Sequence, residues 1–396
     1  MSTTMTSRVN EATATRRLPS LASLTGLRFV AAMAVFLSHL FNPLFTPFGG
    51  AGARQADSLF TIAGGLGVTF FFVLSGFVLT WSVRPDDTPR RFVRRRLVKL
   101  YPNHLVTFAL AMALWAAAAA SDGWQYWLPN LLLLQVWFPD PAVGFSVNAA
   151  SWSLGCELFF YLCFPLLHRV VGRIDPARLW AWAAGLAAAV IAVPAVATTV
   201  LPDGPPIPGL PVGEVQNWFV YQFPPVRMLE FVMGMVLARM VLTDRWIRLG
   251  TSQALLVCAA AYAVALHVPY LYSLNATWVI PVGLLVPAVA RADLLGRRSP
   301  FRGRVMTWLG EVSFAFYLLQ AAVLGIGVVL LEGHGPLGLG AGLVYCLAAW
   351  AVTLTLAHAL STYVERPAMT YWSRPRPAGP GSTGPRSAAP RSAGRR

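Results

Sequence analysis

Ten apolar stretches recur along the chain, at about residues 24–44, 64–83, 103–120, 151–171, 179–201, 218–241, 252–267, 271–290, 307–331 and 339–363. No other feature constrains the fold as strongly. A helix that crosses bilayer hydrocarbon needs ~20 mostly apolar residues, because each one rises ~1.5 Å and every backbone amide must bond inside the segment. The pattern predicts an all-α fold: a polytopic transmembrane helical bundle of about ten spans. With 56% of residues hydrophobic and 12% charged, little chain remains for a soluble domain.

A formal net charge of +15 would fit nucleic-acid binding, but the placement of the charges points elsewhere. Basic residues fall before the first stretch and after the second, fourth, sixth, eighth and tenth, while the opposite connections contain only Arg54. Arg28 and Arg227 lie well within stretches, and Arg169 and Arg239 fall at the cytoplasmic ends of theirs. By the positive-inside rule both termini are cytoplasmic, and the basic excess is topological, with no nucleic acid among the partners. The organisation expected is a cytoplasmic tail over 1–23, a membrane domain over 24–372 and a disordered basic tail over 373–396 beside membrane lipid. The first apolar run is too long and too polar for a cleaved signal peptide. The segment WQYWLPNLLLLQVWF after the third stretch is short for a crossing and reads as interfacial or re-entrant, while the loop Leu201–Gly213, rich in proline and glycine, should have little regular structure. Cys156, Cys163, Cys258 and Cys346 show no metal-ligand spacing, so free thiols and no metal are expected.

The chemistry-bearing residues are those that a membrane interior penalises. The first span carries Arg28 and His39, eleven residues and about three helical turns apart, so that both project from nearly one face. A central charge costs roughly 2.5–3.5 kcal/mol on insertion scales, which makes such residues functional hypotheses by default. The bland alternative is a snorkelling arginine and an interhelical histidine hydrogen bond. The run RRFVRRRLVKLYP (Arg90 to Pro102) sets topology and binds anionic lipid, or holds phosphate oxygens in its arginine forks. ASWSLGCELFFYLCFP opens the fourth span: Ser151 can cap the helix, Trp152 and Ser153 stand at its mouth, and Glu157 faces inward. His39 falls late in an outward helix and Glu157 early in an inward one, so the two can meet, and a carboxylate-oriented histidine is a usual general base. Nothing adjacent in sequence activates Cys156 as a nucleophile. Arg227 and Glu230, three apart on one helical face, read as a structural pair.

Together these pieces resemble the acyltransferase 3 family of integral membrane O-acyltransferases. LTGLRFVAAMAVFLSHL, FFVLSGFVL, RRRLVKLYP, ASWSLGCELFFYL, WLGEVSFAFYLLQ and YVERP occur in the family's order between Leu24 and Pro367. The resemblance implies transfer of acetyl or short branched acyl groups from cytoplasmic acyl-CoA, a donor substrate and not a bound cofactor. Implied acceptors are hydroxyls of a macrolide or other glycoside, or of a cell-surface glycan. It places the donor phosphates near Arg94, Arg95, Arg96 and Lys99, Arg28 along the donor's path, and Trp152 and Ser153 at the substrate. His39 is then the base or transient acyl carrier, oriented by Glu157, in a multi-pass protein of the cell membrane. Lys99 stands where the family often has arginine and Gln320 where it frequently has histidine. No esterase-like domain is appended, and this compact form resembles the macrolide and antibiotic O-acyltransferases. The rival reading is a proton-coupled multi-pass transporter, which also uses buried Arg, His and Glu.

Overall fold

The computed structural model describes residues 19–84, 87–117, 123–207 and 210–372. Most of the expected N-terminal tail (1–18) and all of the C-terminal one (373–396) lie outside the described residues. Apart from an isolated bridge between Pro206 and Gly213, the regular structure among the described residues is helical. The principal helices are α1 (Ala22–Leu40), α2 (Gly50–Trp81), α3 (Pro89–Ala117), α4 (Trp124–Leu131), α5 (Trp152–Gly172), α6 (Leu179–Val200) and α7 (Glu214–Tyr221). They continue with α8 (Pro224–Leu242), α9 (Thr251–Ala265), α10 (Val279–Leu294), α11 (Arg304–Leu331) and α12 (Leu339–Leu360). A π-helical turn, Ser361–Glu365, joins α12 to α13 (Arg366–Trp372).

A helix occupies each of the ten predicted stretches, and among the described residues eight helices are long and apolar enough to cross a membrane. The other two positions fall short for different reasons: α8 carries Arg227, Glu230 and Arg239, and α9 has only 15 residues. Helix α3 starts at Pro89, so the basic run forms its first turns instead of a loop. Arginine, lysine and leucine are good helix formers, so charge ends an apolar count without ending a helix. Proline at a first helical position leaves no amide unsatisfied.

The centre is clamped by glycines. A Cβ on Gly76 of α2 would lie 1.9 Å from the Phe231 carbonyl oxygen of α8, and one on Gly234 of α8 would lie 1.9 Å from that of Val73. These two helices therefore touch backbone to backbone. Between α1 and the α11 end of the bundle, Gly26 and Gly310 make equivalent approaches to the Phe301 and Thr25 oxygens, at 2.0 and 1.8 Å. Small residues at such crossings replace the hydrophobic drive that lipid cannot supply. Phe72, Phe77, Phe160, Phe231 and Trp278 fill the centre, whereas Leu166, Leu256, Val344 and Leu347 on outer helices face outward. Leucines turned outward in such number suit a hydrocarbon surround.

The segment after α3 does not cross. Helix α4 has 8 residues, about 12 Å, and then the chain turns at Leu133, a buried residue held at φ 59°. Asn130 Nδ2 donates to the Ser146 carbonyl at 2.6 Å and to Ser151 Oγ at 3.0 Å, and Gln135 Nε2 donates to Ser151 Oγ at 3.2 Å. Ser151 Oγ in turn donates to the Asn148 carbonyl at 2.7 Å, so it ties this segment to α5 and makes no cap bond of its own. Expected as a helix cap, Ser151 is instead the hub of a buried network. The network roofs α5 and sets the depth of everything below it.

Gly76→Ala should lower the melting temperature in detergent, since overpacking costs typically 1–3 kcal/mol and here the obstacle is backbone, about the upper end of that range. Gly185→Ala in α6, where a Cβ meets nothing within 4 Å, is the control and should be neutral or slightly stabilising.

Candidate active site

A cavity of ≈ 130 Å³ opens where α1, α2, α3, α5 and α11 stand apart. Helical periodicity puts its lining on single faces. Helix α2 supplies Val68, Phe71, Phe72, Ser75, Val78 and Leu79, α5 supplies Ser153, Glu157 and Tyr161 at four-residue spacing, and α3 supplies Arg96, Lys99 and Leu100. Phe314 and Tyr317 come from α11, and Arg28 from α1. From Val68 to Leu79 the α2 wall runs roughly 16 Å, so the cavity is a slot along the helices.

Its charge is unbalanced. Among its lining residues Arg28, Arg96 and Lys99 face a single carboxylate, Glu157, while Glu365 acts on Lys99 and Asp87 on Arg96 from outside the lining. All three cations act electrostatically on Glu157, whose Oε2 accepts a hydrogen bond from Tyr161 at 2.5 Å. Among the described residues none of the three forms an ion pair within 4 Å, and Arg96 Nε is buried without a hydrogen-bond partner. The Arg96 guanidinium lies 5.5 Å from the Phe92 ring centre, and Ser153 Oγ donates to the Tyr317 hydroxyl at 2.9 Å. Excess cation between aromatic walls attracts an anionic ligand, and the low dielectric there strengthens the attraction.

The basic run divides by helical phase. Arg96 and Lys99 are one turn apart and face the cavity, whereas Arg94, about 200° round from Arg96, is exposed. Arg95 hydrogen-bonds both carboxylate oxygens of Asp87, in the connection before α3. These bonds outweigh burial and hold the Asp87 carboxyl below the usual carboxylate range. The pair is therefore fully formed at neutral pH, and its stabilisation is lost only as acid takes the pH down through that lowered value.

Of the residues singled out from sequence, the structure brings Arg28, Arg96, Lys99, Ser153 and Glu157 to one cavity. Trp152 stands behind its wall, buried, with ring centres 6.2 Å from Phe72 and 4.5 Å from Tyr221. His39 is not part of the lining, and its Nδ1 is buried without a partner. The expected bond between Glu157 and His39 is not made: Glu157 is held by Tyr161. The physical reason is the roof, which encloses the first turn of α5 and carries Glu157 down to the level of Arg28. Tyr161 was readable as the i+4 neighbour of Glu157, but Tyr317 arrives by tertiary packing and has no local signal. The Arg227–Glu230 pair forms at 3.1 Å, fully buried, with Thr69 Oγ1 donating to Glu230 at 2.9 Å.

An all-helical bundle with a cationic slot between its spans defines a multi-pass membrane protein. The family model for the acyltransferase domain of the acyltransferase 3 type matches residues 21–359, and the chain belongs to that family. It is an acyltransferase. The chain is 41% identical over 373 residues to Acyltransferase MdmB of Streptomyces mycarofaciens, covering 91% of this chain and 95% of that protein. It is also similar to the putative acetyltransferase ORF330 of Acidianus two-tailed virus, 24% identical over 79% of this chain and 86% of the relative. Nodulation protein 10 of Rhizobium leguminosarum bv. viciae is 29% identical over 42% of this chain and 48% of its own length. No solved structure matches the chain.

The division of the basic run is testable with acetyl-CoA. Arg96→Ala should raise its KM about tenfold or more, because hydrogen bonds to charged groups contribute ~1.5–3 kcal/mol. Arg94→Ala should leave it within about twofold, since that side chain points away from the slot. Equal effects from the two would mean that the run acts as a diffuse charge and not through this cavity.

Proposed function

We propose that this enzyme transfers a short acyl group, acetyl or similar, from acyl-CoA to a hydroxyl of a sugar-containing acceptor such as a macrolide or a cell-surface glycan. The observation that carries the proposal is the slot itself: three cations and one carboxylate on an apolar wall suit a donor that is phosphate at one end and thioester at the other. The donor comes from the cytoplasm, the side on which the alternation of basic residues puts the start of α3. An acyl chain of about acetyl size is part of this reading. The relative named as a putative acetyltransferase supports the same choice. The resemblance to the macrolide O-acyltransferases favours a macrolide, in the cell membrane.

In this reading Arg96 and Lys99 take the donor's phosphates, and the thioester runs along Phe71 and Phe72 past Arg28. Glu157, braced by Tyr161, offsets part of the cationic charge and keeps the three cations turned inward. The acceptor oxygen attacks the thioester carbon, the carbon–sulfur bond breaks, and coenzyme A leaves as the thiol. His39 takes the hydroxyl proton and returns it to the departing sulfur, or carries the acyl group between the two. The slot's upper end lies close to it: Val68 is one turn from Gly64, which abuts Ser38.

Purified protein incubated with radiolabelled acetyl-CoA should label erythromycin or a lipopolysaccharide-derived oligosaccharide. His39→Gln keeps the size and hydrogen bonding of the side chain but removes its titration. It should reduce turnover by about 10²–10⁴-fold with folded yield preserved. A glutamine variant with near wild-type turnover per folded molecule would remove His39 from the chemistry.

A further inference from the structure

On the side of α3 turned away from the slot, a groove of ≈ 710 Å³ opens between that helix and the π-helical turn with α13. Leu97, Val98, Tyr101 and Val106 line it from α3, and Tyr363 and Trp372 from the opposite wall. The lining holds no charged side chain, and its only polar side chains are tyrosine and tryptophan. Tyr363, Tyr371 and Trp372 are 78, 79 and 58% exposed, so large aromatic rings stand bare along one wall. Outward leucines elsewhere on the bundle give lipid a surface to slide over. A recess between two helices instead holds a chain in one place.

The cytoplasmic end of the same helix face is charged. At about 100° per residue, Arg94 falls within about 60° of Leu97, Val98 and Tyr101, and Arg90 lies one turn before it. Both arginines are exposed, and among the described residues neither is in an ion pair within 4 Å. The carboxylates of this corner are engaged elsewhere. Arg95 holds Asp87, Arg366 pairs with Glu311 at 3.0 Å, and Asn103 Nδ2 donates to Glu365 at 2.8 Å. From Leu97 to Val106 the groove runs roughly 14 Å, close to the ~15 Å hydrocarbon depth of one leaflet. The alternation of basic residues makes that the inner leaflet, and Tyr371 and Trp372 at the end of α13 suit its headgroup boundary.

We infer that this groove is a binding site for one anionic phospholipid of the inner leaflet, its phosphate on Arg90 and Arg94 and an acyl chain laid between α3 and α13. Charge complementarity selects the occupant. Arginine forks match phosphate oxygens, and a lipid with net negative charge answers both cations, whereas a zwitterionic one brings its own cation to them. The chain beyond Trp372 does not fit: it is rich in arginine and has no large apolar side chain. Acyl-CoA with a short acyl group lacks the long hydrocarbon that the groove would cover. The basic run thus serves two ligands from opposite sides of one helix, Arg96 and Lys99 toward the slot and Arg90 and Arg94 toward the bilayer. The inference stands apart from the acyl-transfer reading and needs no step of it.

The test is native mass spectrometry of the full chain in detergent, titrated with dioleoylphosphatidylglycerol or dioleoylphosphatidylcholine. The wild type should retain one phosphatidylglycerol about tenfold or more tightly than phosphatidylcholine. Replacing both arginines, Arg90→Gln with Arg94→Gln, should abolish that preference. The control pair Arg297→Gln with Arg298→Gln, exposed cytoplasmic arginines outside the groove, should keep it. Val106→Trp adds a ring to the groove from a position 41% exposed, and by excluding about two methylenes of the chain should weaken both lipids about tenfold. Excess acetyl-CoA should displace neither lipid. Equal retention of the two lipids by the wild type overturns the inference, as does unchanged binding in Val106→Trp. An equal loss in the control pair would mean attraction to diffuse surface charge, and displacement by acetyl-CoA would make the groove a donor site; either result also overturns it.

Discussion

Arg28, Arg96, Lys99 and Glu157 face one another from three helices, α1, α3 and α5, that are otherwise largely apolar at this depth. Three cations around one carboxylate is an arrangement that folding alone does not reward, because a buried charge without full compensation is a net cost. Its persistence depends on the frame. The glycine crossings between α2 and α8 and between α1 and α11 lock the centre of the bundle with backbone contacts that leave no freedom to close the slot. The roof over α5 then fixes the depth of Ser153, Glu157 and Tyr161. Arg227 and Glu230, on the far side of Phe72, neutralise each other one to one. The slot's cations, without such ion pairs among the described residues, are available to a ligand.

The two ends of the slot divide the chemistry. At one end α3 brings in the only lysine of the chain and one selected arginine from a run of several, while Asp87 ties down the neighbouring Arg95. At the other end the wall carries the hydroxyls of Ser153 and Tyr317. The proposed donor, anionic at its head and apolar at its reacting end, matches that gradient, and in that reading the acceptor approaches from the hydroxyl end.

Much of this was legible because a bilayer makes strict demands. The ten helices follow from apolar length, Arg28 and Glu157 were marked by the cost of burying them, and Arg96 and Lys99 were named with the rest of the basic run through the family resemblance. The selection of Arg96 over Arg94 was also within reach, since two residues on a helix are about 200° apart, but it required knowing that α3 begins at Pro89. That start was hidden because charges interrupt an apolar run and not a helix. The partner of Glu157 was misread for a different reason. Two residues late and early in oppositely directed spans can meet only if both spans begin at the membrane surface, and the re-entrant segment with its Ser151 network moves the start of α5 inward. The place of Tyr317 depends on the register between α1 and α11, which glycine contacts set and no local pattern reports.

The central claim is that the acyl donor occupies the slot bounded by Arg28, Arg96, Lys99 and Glu157. The most direct measurement is photo-crosslinking with an acyl-CoA analogue that carries a diazirine in a short acyl chain, followed by peptide mapping. The account predicts insertion into the α2 and α11 walls, at Phe71, Ser75, Phe314 or Tyr317, suppressed by excess acetyl-CoA. Competable labelling confined to the outer groove of Tyr101, Tyr363 and Trp372, between α3 and α13, would place the donor elsewhere and contradict it.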